Sequence, residues 1–127
     1  MKKLCSILLP IMFSILLFSC TKKDDTADLI IGKWDLKSIV YKTVDSSGQV
    51  VSYGPPCENN QEVHEYRTDG TFTISYYSQA GPTFNYSISG DQLTRNNTTC
   101  TFSISGNTLI TAVQSNGRTV EHRWERL

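Results

Sequence analysis

Apolar and polar residues alternate with a period of two in short runs from Ile30 to the C terminus. Successive side chains of a β-strand point to opposite faces, so this alternation predicts strands with one buried face. Turn signals separate the runs, at residues 45–48, 69–70, 80–82, 89–91, 105–107 and 116–117. Asn-Gly and Asp-Gly pairs favour hairpins because both residues accept positive φ with little strain. The pattern predicts an all-β, antiparallel sandwich or barrel.

One face of each predicted strand is apolar or aromatic and the other is mostly polar, as expected for a sheet around a single interior. Asp35 is predicted to face water, and a change of phase near Ser38 predicts a bulge. No segment has a helical pattern beyond a single turn at residues 57–62. The positions predicted to face inward are Trp34, Leu36, His64, Tyr66, Phe72, Ile74, Tyr76, Phe84, Tyr86, Ile88, Leu93, Cys100, Phe102, Ile104, Leu109, Thr111, Val113, Val120, His122 and Trp124.

The N-terminal residues have the pattern of a secretory signal. Lys2 and Lys3 precede an apolar segment, residues 4–18, which is shorter than the roughly 20 residues that span a bilayer. The segment ends in Leu17-Phe18-Ser19-Cys20, which resembles a bacterial lipobox. That resemblance implies cleavage before Cys20 and acylation of its thiol by palmitate or a similar chain. An ordinary signal peptide with cleavage nearby is the alternative.

Three segments are therefore expected: a lipoprotein signal peptide at 1–19, a lipid-anchored flexible tether at 20–29 and one domain at 30–127. Residues 23–25, Lys-Asp-Asp, resemble the surface-export signal of Bacteroidetes lipoproteins; a solvated charge run is the alternative. Removal of the leader leaves ten basic and twelve acidic residues. No basic face stands out, so no nucleic-acid partner is expected.

Two of the four cysteines are informative, because Cys5 leaves with the leader and Cys20 is the acylation site. Cys57 and Cys100 remain in a compartment where disulfides persist, and a disulfide between them is predicted. In the chain-entropy account, such a bridge would contribute about 4 kcal/mol. Two buried thiols are the alternative. Neither cysteine has the Cys-x-x-Cys or Cys-x-x-His spacing of a metal site.

Three stretches of the domain resemble the calycin barrels. Residues 31–36 resemble the Gly-x-Trp start of lipocalins, residues 66–72 resemble a hairpin of the bacterial lipocalin-like lipoproteins, and residues 118–127 resemble their final strand. The likeness implies a small antiparallel up-and-down β-barrel of about eight strands. In lipocalins a C-terminal arginine packs over the tryptophan of the first strand.

That likeness assigns barrel closure to Arg123 or Arg126 packed against Trp34, a contact that contributes about 0.5–2 kcal/mol. The chain is shorter than a true lipocalin and has no C-terminal helix, which argues against a large open cavity.

Catalytic motifs are absent from the sequence, and no enzyme activity, cofactor or metal is expected. The histidine-centred clusters are His64 with Glu62 and Glu65, and His122 with Glu121. Two imidazoles are too few for a catalytic zinc, so hydrogen-bonded interior histidines are the expected role. An envelope enzyme that uses both histidines is a third, weaker hypothesis.

Aromatic residues supply the candidate binding site. Buried tyrosines need partners for their hydroxyls, and a partly polar cavity provides them. The candidate pocket residues are His64, Tyr66, Tyr76, Tyr86, His122 and Trp124. The alternative is that these side chains fill the interior, as in other barrels of this size.

The leading functional hypothesis is a lipid-anchored cell-envelope protein, in the outer membrane, that binds a small hydrophobic or amphipathic ligand inside the barrel. The alternative is a surface or periplasmic interaction module, an inhibitor or accessory subunit, with a solid barrel. In that case loops at 49–60 and 79–83 would contact an envelope protein partner. A cavity of several hundred Å³, open at one end, would favour ligand binding.

Overall fold

The computed structural model of the protein describes residues 26–127. The predicted signal peptide, the acylation site Cys20 and residues 21–25 lie outside the described residues. The elements are α1 (Thr26–Leu29), β1 (Gly32–Val44), β2 (Val50–Tyr53), β3 (Glu62–Tyr66), β4 (Thr71–Tyr76), β5 (Gln79–Ser89), β6 (Gln92–Arg95), β7 (Thr98–Ser105), β8 (Thr108–Ser115) and β9 (Arg118–Arg126). Within 26–127 no helix has the length and apolar character needed to cross a membrane.

Eight of these strands form a closed antiparallel barrel. Each strand from β3 to β9 pairs with its neighbour along the chain, and β1 closes the cylinder by pairing with both β3 and β9. The ninth strand, β2, pairs only with the second half of β1. The prediction of an all-β, up-and-down barrel of about eight strands is confirmed, and this architecture is consistent with a calycin-like fold.

β1 takes part both in the barrel and in a hairpin with β2. Residues 32–35 pair with β3 and residues 34–42 pair with β9, which closes the barrel, and the last four residues, 41–44, form a hairpin with β2. The register against β9 shifts between Leu36 and Ser38, which confirms the predicted bulge. Residues 26–29, predicted as the end of a flexible tether, form α1 and lead into the fully buried Ile30.

The prediction that Asp35 faces water is wrong, because its side chain is only 1% exposed. The loop between β2 and β3 folds back over the outer face of β1. There the backbone N–H of Asn60 donates to Oδ1 of Asp35 at 3.0 Å, and the Lys37 ammonium lies 2.6 Å from Oδ2. This loop forms no helical turn at 57–62.

Five of the six predicted turns join consecutive strands. The turn predicted at residues 80–82 is wrong, since these residues lie within β5 and the reversal occurs at Tyr77 and Ser78. Gly81 marks a register shift between β4 and β5. A Cβ at Gly81 would lie 2.3 Å from the carbonyl oxygen of Ile74, so only glycine allows the two strands to approach this closely.

The core occupies the barrel interior and agrees with most of the predicted inward face; the prediction for Tyr76 is wrong, because its side chain is 48% exposed at the end of β4. The fully or nearly fully buried residues of the core include Ile30, Trp34, Leu36, Tyr66, Phe72, Leu93, Phe102, Leu109 and Trp124. Each such side chain contributes about 1.5–3 kcal/mol when removed from water.

The predicted disulfide between Cys57 and Cys100 is wrong, because both residues are free thiols. Cys100 lies inside the barrel on β7, and its Sγ is 3.6 Å from the carbonyl oxygen of Leu93. Cys57 lies beside β1, where its N–H donates to the carbonyl of Lys37 at 2.7 Å. β8 and β9 separate the two positions around the barrel. Burial raises the pKa of both thiols, which keeps them protonated at neutral pH.

Candidate ligand-binding site

One end of the barrel, where the described chain begins, is closed by a tryptophan and an arginine. Trp34 is fully buried, and its Nε1 donates to the carbonyl oxygen of Ile30 at 2.7 Å. The Arg126 guanidinium carbon lies 4.2 Å from the centre of the Trp34 ring. Its Nη1 donates to the carbonyl oxygen of Ile31 at 2.8 Å, and its Nη2 donates to that of Leu29. The indole N–H of Trp34 and both terminal nitrogens of the Arg126 guanidinium therefore have acceptors.

The register of β1 against β9 explains this arrangement. Trp34 pairs directly with Arg126, so the two side chains leave the sheet at the same level. Gly32 has a φ of 128°, and a Cβ there would lie 2.9 Å from Nη1 of Arg126, so glycine makes room for the guanidinium. The alternative closure residue, Arg123, has a half-exposed side chain and pairs with Glu121 at 3.4 Å. Arg126 thus takes the position over Trp34, and Arg123 does not.

The opposite end holds a cavity of about 330 Å³. Residues of β3 to β7 and of β9 line it, and it lies next to the turn that joins β6 to β7. Its lining combines aromatic and aliphatic side chains with four ionisable ones: Glu62, His64, Phe72, Ile74, Phe84, Arg95, Asn96, Thr98, His122 and Trp124. This mixture of an apolar wall and a few convergent polar groups is typical of small-molecule sites.

His64 lies at the centre of the polar part of this cavity. Its Nε2 is 2.8 Å from Oε1 of Glu62, and its Nδ1 is 3.3 Å from Nη1 of Arg95. A carboxylate accepts and a guanidinium donates, so this network fits the neutral imidazole with its proton on Nε2. Burial lowers the pKa of His64, which agrees with that assignment. The hydrogen bond from His64 in turn lowers the pKa of Glu62.

The aromatic side of the cavity is built around Trp124. Its ring centre lies 4.3 Å from that of His64 and 6.1 Å from that of His122. Its Nε1 donates to the Thr111 hydroxyl at 3.2 Å, and this hydrogen bond fixes the orientation of the indole. The pKa of His122 is also lowered, first by burial and then by the charge of Arg95. Both imidazoles are therefore neutral at neutral pH.

Three of the six predicted pocket residues line the cavity: His64, His122 and Trp124. Tyr66 is buried in the core beneath it, stacked on Phe72 at 5.3 Å, and burial raises its pKa to about 12. The other two lie elsewhere. The Tyr86 hydroxyl donates to the carbonyl of Arg67 at 2.7 Å, and Tyr76 is 48% exposed at the end of β4.

Sequence reasoning missed Arg95, the charged residue that faces the cavity from the end of β6. A signal for it was available, because Arg95 follows the inward-facing Leu93 by two positions and so shares its face. Phe72, Ile74 and Phe84 were predicted to face inward but were not assigned to the pocket. Within residues 26–127, no group of three or more His, Cys, Asp and Glu side chains could hold a metal ion.

Comparison with known proteins adds no family assignment. No protein-family model matches the chain, and the search of curated proteins also finds no match.

Proposed function

We propose that the protein is a lipid-anchored, non-enzymatic binding protein of the cell envelope whose barrel takes up a small amphipathic ligand. The observation that carries the proposal is the contrast between the two barrel ends. One end is sealed, whereas the other contains a cavity of about 330 Å³ with apolar and polar walls. That volume falls within the range of about 300–1,000 Å³ that is typical of small-molecule sites.

The anchoring part of the proposal rests on the lipobox-like residues 17–20. Acylation of Cys20 would hold the protein in the outer membrane, with residues 21–25 as the spacer. The described chain enters the barrel at its closed end, so the cavity would open away from the membrane surface. Incorporation of labelled palmitate into the protein, and its loss in Cys20→Ala, tests the anchor.

Native mass spectrometry of the protein purified from its own host envelope tests ligand binding. We expect a retained small molecule that is absent from an Ile74→Trp variant, because an indole at position 74 would fill the cavity. Ser103→Trp is the matched control, since Ser103 lies exposed on the outer face of β7 and should leave binding intact. Identical spectra for all three proteins, without any added mass, would contradict the proposal.

A second candidate, an interaction module for an envelope protein, is favoured by the hairpin of β1 and β2. Every residue of β2 is exposed, and Tyr53, Val50 and Val44 are 66–70% exposed. An exposed apolar edge strand of this kind is open to pairing with another chain. A photo-crosslinking residue at position 53, with position 103 as the control, would test it in intact cells. A specific crosslinked partner is the supporting result, and equal crosslinking at both positions the contrary one.

A further inference from the structure

Arg95 is the least well compensated charged group in the cavity. It lies at the end of β6 with a half-buried side chain, and its hydrogen-bond partners, which include the Tyr66 hydroxyl, are neutral. Nη1 is 3.3 Å from Nδ1 of His64, and Nη2 is 3.8 Å from Sγ of Cys100. The Tyr66 hydroxyl lies 3.4 Å from the same Nδ1. These are long contacts for a guanidinium, whose charge-assisted bonds are normally about 2.7–2.9 Å.

No ion pair among residues 26–127 includes Arg95. The carboxylate that lines the same cavity is that of Glu62, which lies at the rim and accepts a hydrogen bond from Nε2 of His64. A guanidinium remains charged in proteins, so Arg95 brings a permanent positive charge into a space walled by aromatic side chains. The Glu62 carboxylate lines the same cavity but forms no ion pair with Arg95, so an anion that reached the guanidinium would add the direct charge-assisted contact that this side chain lacks.

We propose that the ligand carries a carboxylate, which the Arg95 guanidinium binds while the apolar body of the ligand lies against Phe84 and Trp124. The inference rests on the proposed binding function and names its ligand class. A guanidinium presents its N–H donors in a planar fork that matches a carboxylate. The neutral His122 faces the same space and adds no competing charge.

The charges around the cavity favour a singly charged group over a phosphate. Arg95 offers one positive charge, and the Glu62 carboxylate at the rim opposes negative charge. A dianion would be held by one cation and repelled by one anion, whereas a carboxylate balances Arg95 alone. The same reasoning predicts that Glu62→Gln tightens carboxylate binding, because it removes the repulsion and leaves Arg95 in place.

The test is calorimetric titration of the purified mature protein with two matched sets of probes. The aliphatic set is octanoate, 1-octanol and octylamine, and the aromatic set is 3-phenylpropionate with its alcohol and amine. We expect the carboxylate of at least one set to bind about tenfold or more tightly than its alcohol, the difference expected for a charge-assisted hydrogen bond. The set that binds distinguishes a fatty acid from an aromatic acid as the ligand.

Variants of Arg95 show whether the preference comes from this residue. Arg95→Met should remove the advantage of the carboxylate over the alcohol, and Arg95→Lys should keep part of it because the charge remains. Arg123→Gln is the matched control, since Arg123 lies on the outer face of β9 and should leave both affinities unchanged. If Arg95→Met fails to fold, Arg95→Lys and Glu62→Gln still test the prediction, with opposite expected changes in affinity.

Each remaining outcome overturns the inference in a recognisable way. Equal binding of carboxylate and alcohol, unaffected by Arg95→Met, would leave the binding function in place and refute the carboxylate. Preferential binding of an amine would assign the polar group to Glu62 instead. Failure of all six probes to bind would contradict the ligand class and, together with an empty native mass spectrum, the binding function itself.

Discussion

The two ends of the barrel use the same pair of residue types for different purposes. At the closed end, the guanidinium of Arg126 lies on the Trp34 ring and donates to two backbone carbonyls. At the open end, Arg95 shares a cavity with Trp124 but makes only long contacts to neutral atoms. Under our proposal, the completeness of its hydrogen bonding, and not the residue type, distinguishes a structural arginine from a binding one.

This difference has an energetic consequence. A saturated arginine should stabilise the fold, because its removal leaves carbonyl oxygens and an aromatic face without partners. An unsaturated arginine in a cavity should contribute little to stability, since its favourable partner is the ligand. Four measurements test this difference between the two ends.

The largest effect is expected at the closed end. Arg126→Ala should lower the free energy of unfolding by about 2–4 kcal/mol, because it removes charge-assisted hydrogen bonds and a cation–π contact. Urea denaturation measures the change. Arg123→Ala, on the same strand but in an exposed ion pair, should cost less than about 1 kcal/mol. Equal losses in the two variants would refute closure by Arg126.

The second effect is a pH dependence of the free energy of unfolding, which we expect to arise from the two histidines at the open end. The native pKa values of His64 and His122 are lowered from 6.5, so the unfolded chain binds more protons below that pH. Stability should be complete above pH 6.5 and fall as the pH is lowered, by up to about 1.4 kcal/mol per pH unit for each histidine. Glu62, whose pKa is also lowered, adds a further loss below pH 4.5.

Urea denaturation between pH 5 and 8 tests this slope. The double variant His64→Gln and His122→Gln should flatten it, whatever its stability at pH 7. A slope unchanged in the double variant would mean that the two imidazoles are not held neutral by burial.

A smaller effect separates the tyrosines that were predicted for the pocket. Tyr86→Phe should lower the free energy of unfolding by about 1 kcal/mol, because the carbonyl of Arg67 loses its donor. Tyr76→Phe should leave stability unchanged, since Tyr76 is 48% exposed. Neither change should affect ligand affinity, and a loss of affinity in either would mean that the site extends beyond the cavity described.

The smallest stability change is expected for Arg95→Met, which should leave the ligand-free protein at least as stable as the original. Replacement of a poorly compensated charge by an apolar side chain of similar length is often neutral or stabilising. Thermal unfolding of the ligand-free protein measures this. A large destabilisation would place Arg95 in the same structural class as Arg126.

The alternation of apolar and polar residues was enough to predict an antiparallel all-β fold, most of its inward face and the bulge near Ser38, whereas the prediction of a barrel came from the resemblance to the calycins. The alternation failed where long-range contacts decide the outcome. Asp35 is buried because a distant loop folds over it, and residues 80–82 continue a strand because Gly81 lets β4 and β5 approach closely. Neither cause has a local signature.

The candidate site was predicted only in part for a related reason. Periodicity places His64, His122 and Trp124 on the inner face, but it does not tell which level of the barrel remains empty. Tyr66 is inward yet packed, whereas Arg95 is inward and borders the cavity. The disulfide prediction failed because cysteine number and compartment carry no information on where two thiols lie around a closed sheet.

Backbone amide chemical shifts, recorded by NMR during titration with octanoate and 3-phenylpropionate, show which end of the barrel a ligand contacts. We expect shift changes at residues 62–64, 95–98 and 122–124, and none at residues 30–34 or 126. Changes centred on the closed end or on the hairpin of β1 and β2, or none anywhere, would contradict the proposed site.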